Sequence, residues 1–382
     1  MNSMGESMLR RAKPPLDPVL LYTVLTLLAF GLTMVYSASA YVAAQRTGHS
    51  PYYLLHDVVN VIVSLLALFA VLQIPIKVWR HLSPYLLMVG LAGLVMVLIP
   101  HVGVRVNGSA RWLSLGVINV QPSEFLKLFL VLYLAGYLVR RKDRLSEFTH
   151  GILTVSGLLM ATGVLLLLEP DMGSEVILWA VAFGMLFVGG VRLSHFLAVV
   201  LAGAGAGVVL TLASSYRERR IVGFLHPFAQ ARGDGYQLVQ SLMAFGRGGL
   251  FGRGLGLSLQ KLYYLPAAHT DFLFAIIAEE FGFVGVLAVV ALFTAVIVRA
   301  FQIADAARRF DDLYASFVAQ GIGILIGLEA IVNMGVNMGV LPTKGLALPL
   351  LSYGGSSTLV SCVAMGILLR IDREVRARSV SR

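Results

Sequence analysis

Apolar residues recur along this chain in runs of about twenty, the length a helix needs to cross the hydrocarbon core of a bilayer. The first extends from Pro18 to Ser37, and others lie near 54–73, 82–100, 124–139, 150–168, 172–189 and 194–213. A more polar stretch, 214–270, interrupts the series before further runs near 271–298, 312–340 and 351–370. The pattern predicts an all-α polytopic membrane protein with ten transmembrane helices. Ala38-Ser39-Ala40 imitates a signal-peptidase site. The apolar run before it is longer than the roughly 7–15 residues of a signal core, so the first span is expected to stay.

Composition agrees with the pattern. Of 382 residues 58% are hydrophobic and only 13% charged, with a mean hydropathy of +0.82; a soluble domain carries nearer about 25% charged residues. The net charge of +10 then reads as basic cytoplasmic loops, not as a nucleic-acid surface. Arg10, Arg11, Lys13, Lys77, Arg80, Arg140, Arg141, Lys142, Arg144, Arg308, Arg309 and the arginines from 370 onward all fall on one side of a ten-span chain. Both termini are therefore expected in the cytoplasm. The implied plan is a tail at 1–17, a membrane domain at 18–370 with a periplasmic loop 214–270 between spans seven and eight, and a basic tail at 371–382. Cys362 is the only cysteine, and the eight histidines show no ligand spacing. No disulfide, thiolate site or zinc site is expected.

Polar residues at membrane depth are costly and suggest function. In Lys261–Gly285 a polar segment with two tyrosines, Pro266 and His269 runs into an apolar helix. Asp271 stands at the join, with Glu279 and Glu280 about two turns deeper. Asp271 is either a helix cap with Thr270 or a chemical group. Glu124 and Lys127 share a helical face behind Pro122 and Ser123, as a self-neutralising pair or a binding site. Glu169-Pro170-Asp171 and Glu175 surround a tight turn, suited to capping or to meeting a cation or partner. The loop 214–270 combines Arg217, Arg219, Arg220, Arg232, Arg247, Arg253 and Lys261 with glycines at 246–256. Amides of such turns, joined by guanidinium groups, suit a pyrophosphate, though an ordinary flexible loop has the same composition. Glu329, Asn333 and Asn337 form a polar stripe that serves either as interhelical glue or as a path through the bilayer. Lys344 and the Ser352–Ser357 segment lie on irregular backbone that must be buried in protein or line a cavity.

Together these residues resemble the SEDS family (shape, elongation, division and sporulation), ten-span peptidoglycan glycosyltransferases. The likeness rests on Asn107-Gly108-Ser109-x-Arg111-Trp112, Gln121-Pro122-Ser123-Glu124-x-x-Lys127, Glu169-Pro170-Asp171, Gly235-Tyr236-Gln237, Gly252-x-Gly254-x-Gly256, His269-Thr270-Asp271-Phe272 and Ser352-Tyr353-Gly354-Gly355-Ser356-Ser357. Leu341-Pro342-Thr343-Lys344-Gly345 and Gln260-Lys261-Leu262 are similar to the cell-division branch more than to the elongation branch. Ala267 and Tyr263 depart from that branch, where acidic residues are common.

The resemblance implies polymerisation of lipid II onto a glycan carried by undecaprenyl pyrophosphate. Asp271 is the expected general base. Its position at a helix N-terminus is expected to favour the ionised carboxylate against the cost of burial. Arg111, Glu124, Lys127, Lys261, His269, Lys344, Ser356 and Ser357 are the expected substrate contacts. No tightly bound cofactor is implied; a divalent cation, Mg2+ or Mn2+, is an option on the pyrophosphate, and metal ligands stay unassigned. Implied partners are a class B penicillin-binding protein (a transpeptidase) and other divisome proteins, at the septum of the bacterial inner membrane. Two rival functions use the same residues: a lipid II flippase, and a non-catalytic scaffold that recruits the transpeptidase.

Overall fold

Asp17 sets the start of α1 (Pro18–Thr47). Its carboxylate accepts from the backbone N–H groups of Val19 (2.9 Å) and Leu20 (3.2 Å), and Pro18 takes a first-turn position that needs no N–H donor. Gly48 closes the helix in the left-handed conformation (φ 74°). The same logic starts α6 (Met172–Val188) at Asp171 and α10 (Leu313–Asn337) at Asp312, whose side chains accept from Ser174 and Ala315 N–H. The computed structural model describes residues 16–106, 109–114, 116, 119–212, 222–233 and 235–380. The tail 1–15, Asn107, Gly108 and the loop residues Arg217, Arg219 and Arg220 lie outside the described residues.

The remaining helices are α2 (Tyr52–Val71), α3 (Ile76–Leu98), α4 (Pro122–Arg140), α5 (Thr154–Leu168, entered through a π turn at Thr149–Leu153), α7 (Leu193–Leu212), α8 (Tyr236–Gly248), α9 (Leu273–Arg309) and α11 (Gly355–Val380). A helix thus occupies each predicted apolar stretch. Among the described residues 8 helices are long and apolar enough to cross a membrane, and α6 is a shorter apolar one. The chain is a mostly helical, multi-pass membrane protein. Helices α4 and α10 are mostly buried and pack on each other, on α6 and on their further neighbours α3 and α9. Helices α2 and α3 instead expose Leu55, Val59, Ile62, Leu66, Met88 and Val89, the surface expected against lipid.

Three features depart from expectation. A small antiparallel sheet, β1 (Gly103–Val106), β2 (Ser109–Ser114) and β3 (Asn119–Val120), joins α3 to α4, so the fold is not purely helical. Helix α9 is broken at Gly282 (φ 66°, ψ −158°). The glycine-rich segment fills the break: Arg253 and Gly254 N–H donate to the carbonyls of Glu279 (3.0 Å) and Glu280 (2.9 Å). A Cβ on Gly282 would lie 2.3 Å from the nitrogen of Gly252, so glycine is required there. The amides of Gly252, Arg253 and Gly254 are spent on the fold and do not form a pyrophosphate cradle. Finally, α11 continues to Val380, so the basic segment from 371 is helix throughout its described part.

Between α10 and α11 the backbone is irregular and buried, with Leu346, Leu348, Leu350 and Leu351 nearly inaccessible. Helix α1 packs on this segment so closely that a Cβ at Gly31 would stand 2.7 Å from the carbonyl of Leu351. The segment carries Lys344 to the start of α9.

Candidate functional site

Asp271 precedes α9, whose N-cap is Phe272 with no side-chain cap hydrogen bond. Capping therefore does not account for Asp271. Its carboxylate is half-buried and accepts no hydrogen bond from a described residue. The backbone is held tightly instead. Asn333 and Asn337 of α10 each donate a side-chain N–H to the Asp271 carbonyl at 3.0 Å. Asn333 Nδ2 also donates to Leu346 O at 2.5 Å, and Asn337 Oδ1 accepts from Ala275 N–H at 3.1 Å. Asn333 and Asn337 of the polar stripe thus clamp the backbone at Asp271, the interhelical role of the two the sequence offered.

Beside the carboxylate stand Gly345 and Arg111, with Lys344 next in the chain to Gly345. Gly345 is exposed, and a Cβ there would lie 3.0 Å from Asp271 Oδ2. Lys344 Nζ reaches the carbonyl of Met172 at 3.5 Å. Strand β2 brings in Arg111, which donates to the carbonyls of Glu169 (3.4 Å, from Nε) and Pro170. Burial pushes Asp271 up to about 6, with the Arg111 charge opposing. Desolvation wins over the helix terminus, contrary to the sequence expectation. At neutral pH the group is still ionised, and it is a stronger base than an ordinary carboxylate.

Glu169 carries a signal that sequence reasoning underweighted. It is fully buried, and neither carboxylate oxygen has a hydrogen-bond partner among the described residues. Burial and the neighbouring Asp171 push it up to about 8, with Arg111 opposing, so it is protonated at neutral pH. Asp171 is satisfied by Ser174 Oγ (2.8 Å) and Ser123 Oγ (3.2 Å). The visible hint was three carboxylates crowded at one turn. His269 stacks between Tyr53 (4.7 Å) and Tyr353 (5.7 Å), and burial lowers it to about 4. It is a neutral wall of the site.

Other expected contacts lie in closed networks. Lys127 is buried between Glu124 (2.9 Å) and Glu329, joining α4 to α10. Lys261 pairs with Glu280 (2.9 Å) and Ser37 (3.0 Å), fastening the loop to the break in α9 and to α1. Ser356 is buried and accepts from Gln121 N–H at 3.0 Å, whereas Ser357 is half-buried. Glu124, Lys127, Lys261 and Ser356 are therefore held by protein partners, of which the sequence revealed only the Glu124–Lys127 pair. Asp271, Arg111, His269 and Lys344 form the accessible group.

A family model described as "Cell cycle protein", spanning FtsW, RodA and SpoVE, matches residues 18–377. The chain belongs to this family. Within the FtsW/RodA/SpoVE family it is 49% identical over 369 residues to the probable peptidoglycan glycosyltransferase FtsW of Nitrosococcus halophilus, covering 97% of this chain and 95% of the relative. The protein of the same name from Methylomonas methanica is 48% identical over 360 residues, covering 94% and 93%. Among solved structures, a chain from a peptidoglycan synthase complex matches with TM-score 0.75 and 29% identity, covering 94% of this chain and 98% of that one. The rod shape determining protein RodA of Thermus thermophilus matches at TM-score 0.67 and 28% identity, covering 94% and 97%. Against the division-branch pattern, Tyr263 is exposed and packs edge-on to Tyr41 (5.8 Å), and Ala267 takes a left-handed turn (φ 57°).

Proposed function

We propose that this protein is a peptidoglycan glycosyltransferase that polymerises lipid II into glycan strands for septal wall synthesis. Asp271 acts as general base. It takes the proton from the 4-hydroxyl of an incoming sugar while that oxygen bonds to the anomeric carbon of the growing chain. The bond from that carbon to undecaprenyl pyrophosphate breaks, and the diphosphate leaves with the electron pair. Arg111 and Lys344 supply positive charge for the departing group, which stabilises the transition state more than the ground state. The observation that carries this reading is the half-buried Asp271 carboxylate, without a hydrogen-bond partner among the described residues, beside an exposed glycine and an arginine.

In this reading the chain has ten spans, cytoplasmic termini and a periplasmic loop at 214–270, so that Asp271 would lie on the outer side of the inner membrane, where lipid II would be consumed. A class B penicillin-binding protein at the septum is the partner this reading implies, and the likeness to a chain of a peptidoglycan synthase complex supports it. No three acidic, His or Cys side chains cluster among the described residues to hold a metal. A Mg2+ or Mn2+ ion would arrive on the diphosphate, with Asp271 as a carboxylate that would meet it. The test is labelled lipid II added to purified protein, with and without the transpeptidase. Long strands from wild type and none from Asp271→Ala support the enzyme; equal strand synthesis by both proteins would remove it. A flippase would keep translocating lipid II after Asp271→Ala, and a scaffold would still support division.

A further inference from the structure

At the end of the bundle where the sequence concentrates Lys and Arg, a cavity of about 310 Å³ opens between four helix ends. It is formed by the first turns of α3 (Ile76, Lys77 and Arg80), the last turn of α4 (Val139), the turn from α9 to α10 (Asp311 to Tyr314) and the last turns of α11 (Arg378). Tyr314 is buried at its base. These apolar helices end together here, so the cavity meets the polar layer of the bilayer. It contributes nothing to the clamp or the charges around Asp271.

The charges of the cavity do not all cancel. Arg378 binds Asp312 at 2.9 Å, and the other oxygen of Asp312 caps α10 through Ala315 N–H at 3.2 Å. That carboxylate is therefore taken. Lys77, Arg80 and Asp311 are exposed and form no ion pair among the described residues. Two cations and one carboxylate thus face one cavity, beside apolar walls from Ile76, Val139 and Leu313. An anionic phosphate alone would satisfy the cations and leave Asp311 facing a like charge. A trimethylammonium group would offer Asp311 no N–H donor.

We propose that this cavity is a binding site for a phosphoethanolamine group carried by a membrane lipid. The phosphate pairs with Lys77 and Arg80, the primary ammonium with Asp311, and the glycerol end rests on the apolar walls. Charge-assisted hydrogen bonds of both signs make the site selective as well as attractive. Basic pockets at helix ends on the cytoplasmic side are suited to headgroups for the same reason.

The test is native mass spectrometry of the full chain in detergent, titrated separately with phosphatidylethanolamine, phosphatidylglycerol and phosphatidylcholine of identical acyl chains. Wild type should retain one phosphatidylethanolamine at several-fold lower concentration than either other lipid. Lys77→Ala with Arg80→Ala should weaken that retention about tenfold, as expected when a charged hydrogen-bonded contact is lost. Asp311→Asn should spare phosphatidylglycerol binding while abolishing the preference for phosphatidylethanolamine. All three side chains are exposed, and unchanged melting curves would show the variants folded. Equal retention of phosphatidylethanolamine and phosphatidylglycerol by wild type overturns the proposal, as does a double variant that binds like wild type. Displacement of the lipid by equimolar water-soluble glycerophosphoethanolamine would assign the site to a soluble ester and overturn the lipid source.

Discussion

Asn333 Nδ2 lies 3.0 Å from the carbonyl oxygen of Asp271 and 2.5 Å from that of Leu346. One side chain in the buried helix α10 therefore fixes both the candidate base and the segment that carries Lys344 and Gly345. Positioning of this kind matters strongly, since a displacement of about 1 Å can cost on the order of 100-fold in rate. Asn333→Ala should lower kcat by roughly 10–100-fold with little change in KM. It should also cost about 1–3 kcal/mol of stability, because the buried Leu346 carbonyl loses its side-chain donor while that of Asp271 keeps Asn337. Initial rates on lipid II with parallel melting curves check both parts. A pure rise in KM would show that Asn333 contacts substrate instead of holding Asp271.

The carboxylate of Asp271 must be ionised to accept a proton. With its pKa raised from 3.8 to about 6, activity should climb through pH 6 and level off by about pH 8, as ionisation approaches completion. His269, lowered to about 4, is neutral over that range and adds no second step.

Stability should show the opposite sign. A raised folded-state pKa means that the folded chain binds protons more tightly than the unfolded one, so ionising Asp271 costs stability as pH rises from 3.8 towards 6. Asp271→Asn should therefore abolish polymerisation while raising the melting temperature at pH 8 and leaving it unchanged near pH 3.5. Glu169→Gln should also stabilise at pH 8. It should retain activity at pH 7, where Glu169 with its pKa of about 8 is already neutral. A melting temperature for either variant that rises equally at both pH values would show that charge burial is not the cause.

The spans were legible because hydropathy and length act locally, and four of the eleven helix starts were marked by a capping Asp or a first-turn Pro, as at Asp17-Pro18 and Gln121-Pro122. What sequence concealed was pairing over distance. Glu124 was visible three residues from Lys127, but Glu329, the other half of that network, lies 202 residues away. Ser37, which reaches Lys261, is 224 residues away. The break in α9 was hidden similarly: Gly282 looks like an ordinary small helical residue until the backbone of Gly252 is brought against it. The glycine-rich segment suggested anion binding because its amides had no visible acceptor, and the acceptors for Arg253 and Gly254 are the carbonyls which that break releases. Asp271, Arg111 and Lys344 were legible as a group only through the family motifs. Their proximity depends on the sheet between α3 and α4 and on the irregular segment after α10.

The buried triad yields a prediction that separates structure from substrate binding. Lys127 Nζ is the sole cation between Glu124 and Glu329 among the described residues. Lys127→Met would leave two buried carboxylates facing each other. Removing one member of such a pair typically costs about 3–5 kcal/mol, so the variant should fold poorly in detergent. Lys127→Met with Glu124→Gln and Glu329→Gln removes every charge and should recover much of that loss. If Lys127 instead bound the diphosphate, the single variant would fold normally and show only a raised KM.

The sharpest probe of access to Asp271 is the glycine beside it. A Cβ at position 345 would stand 3.0 Å from Asp271 Oδ2, close enough to crowd the oxygen that would meet the incoming hydroxyl if Asp271 is the base. Gly345 is exposed and its φ is not left-handed, so the backbone accepts a side chain without strain. Gly345→Ala should reduce kcat modestly. Gly345→Val, with two further methyl groups over the oxygen, should reduce it by roughly 100-fold or more, since positioned proton transfer contributes about 100- to 10,000-fold. Stability should change by less than about 0.5 kcal/mol, as for other exposed substitutions. Rates and melting curves for the two variants decide the matter. A Val variant as active as wild type would mean that the acceptor hydroxyl approaches Asp271 from another side.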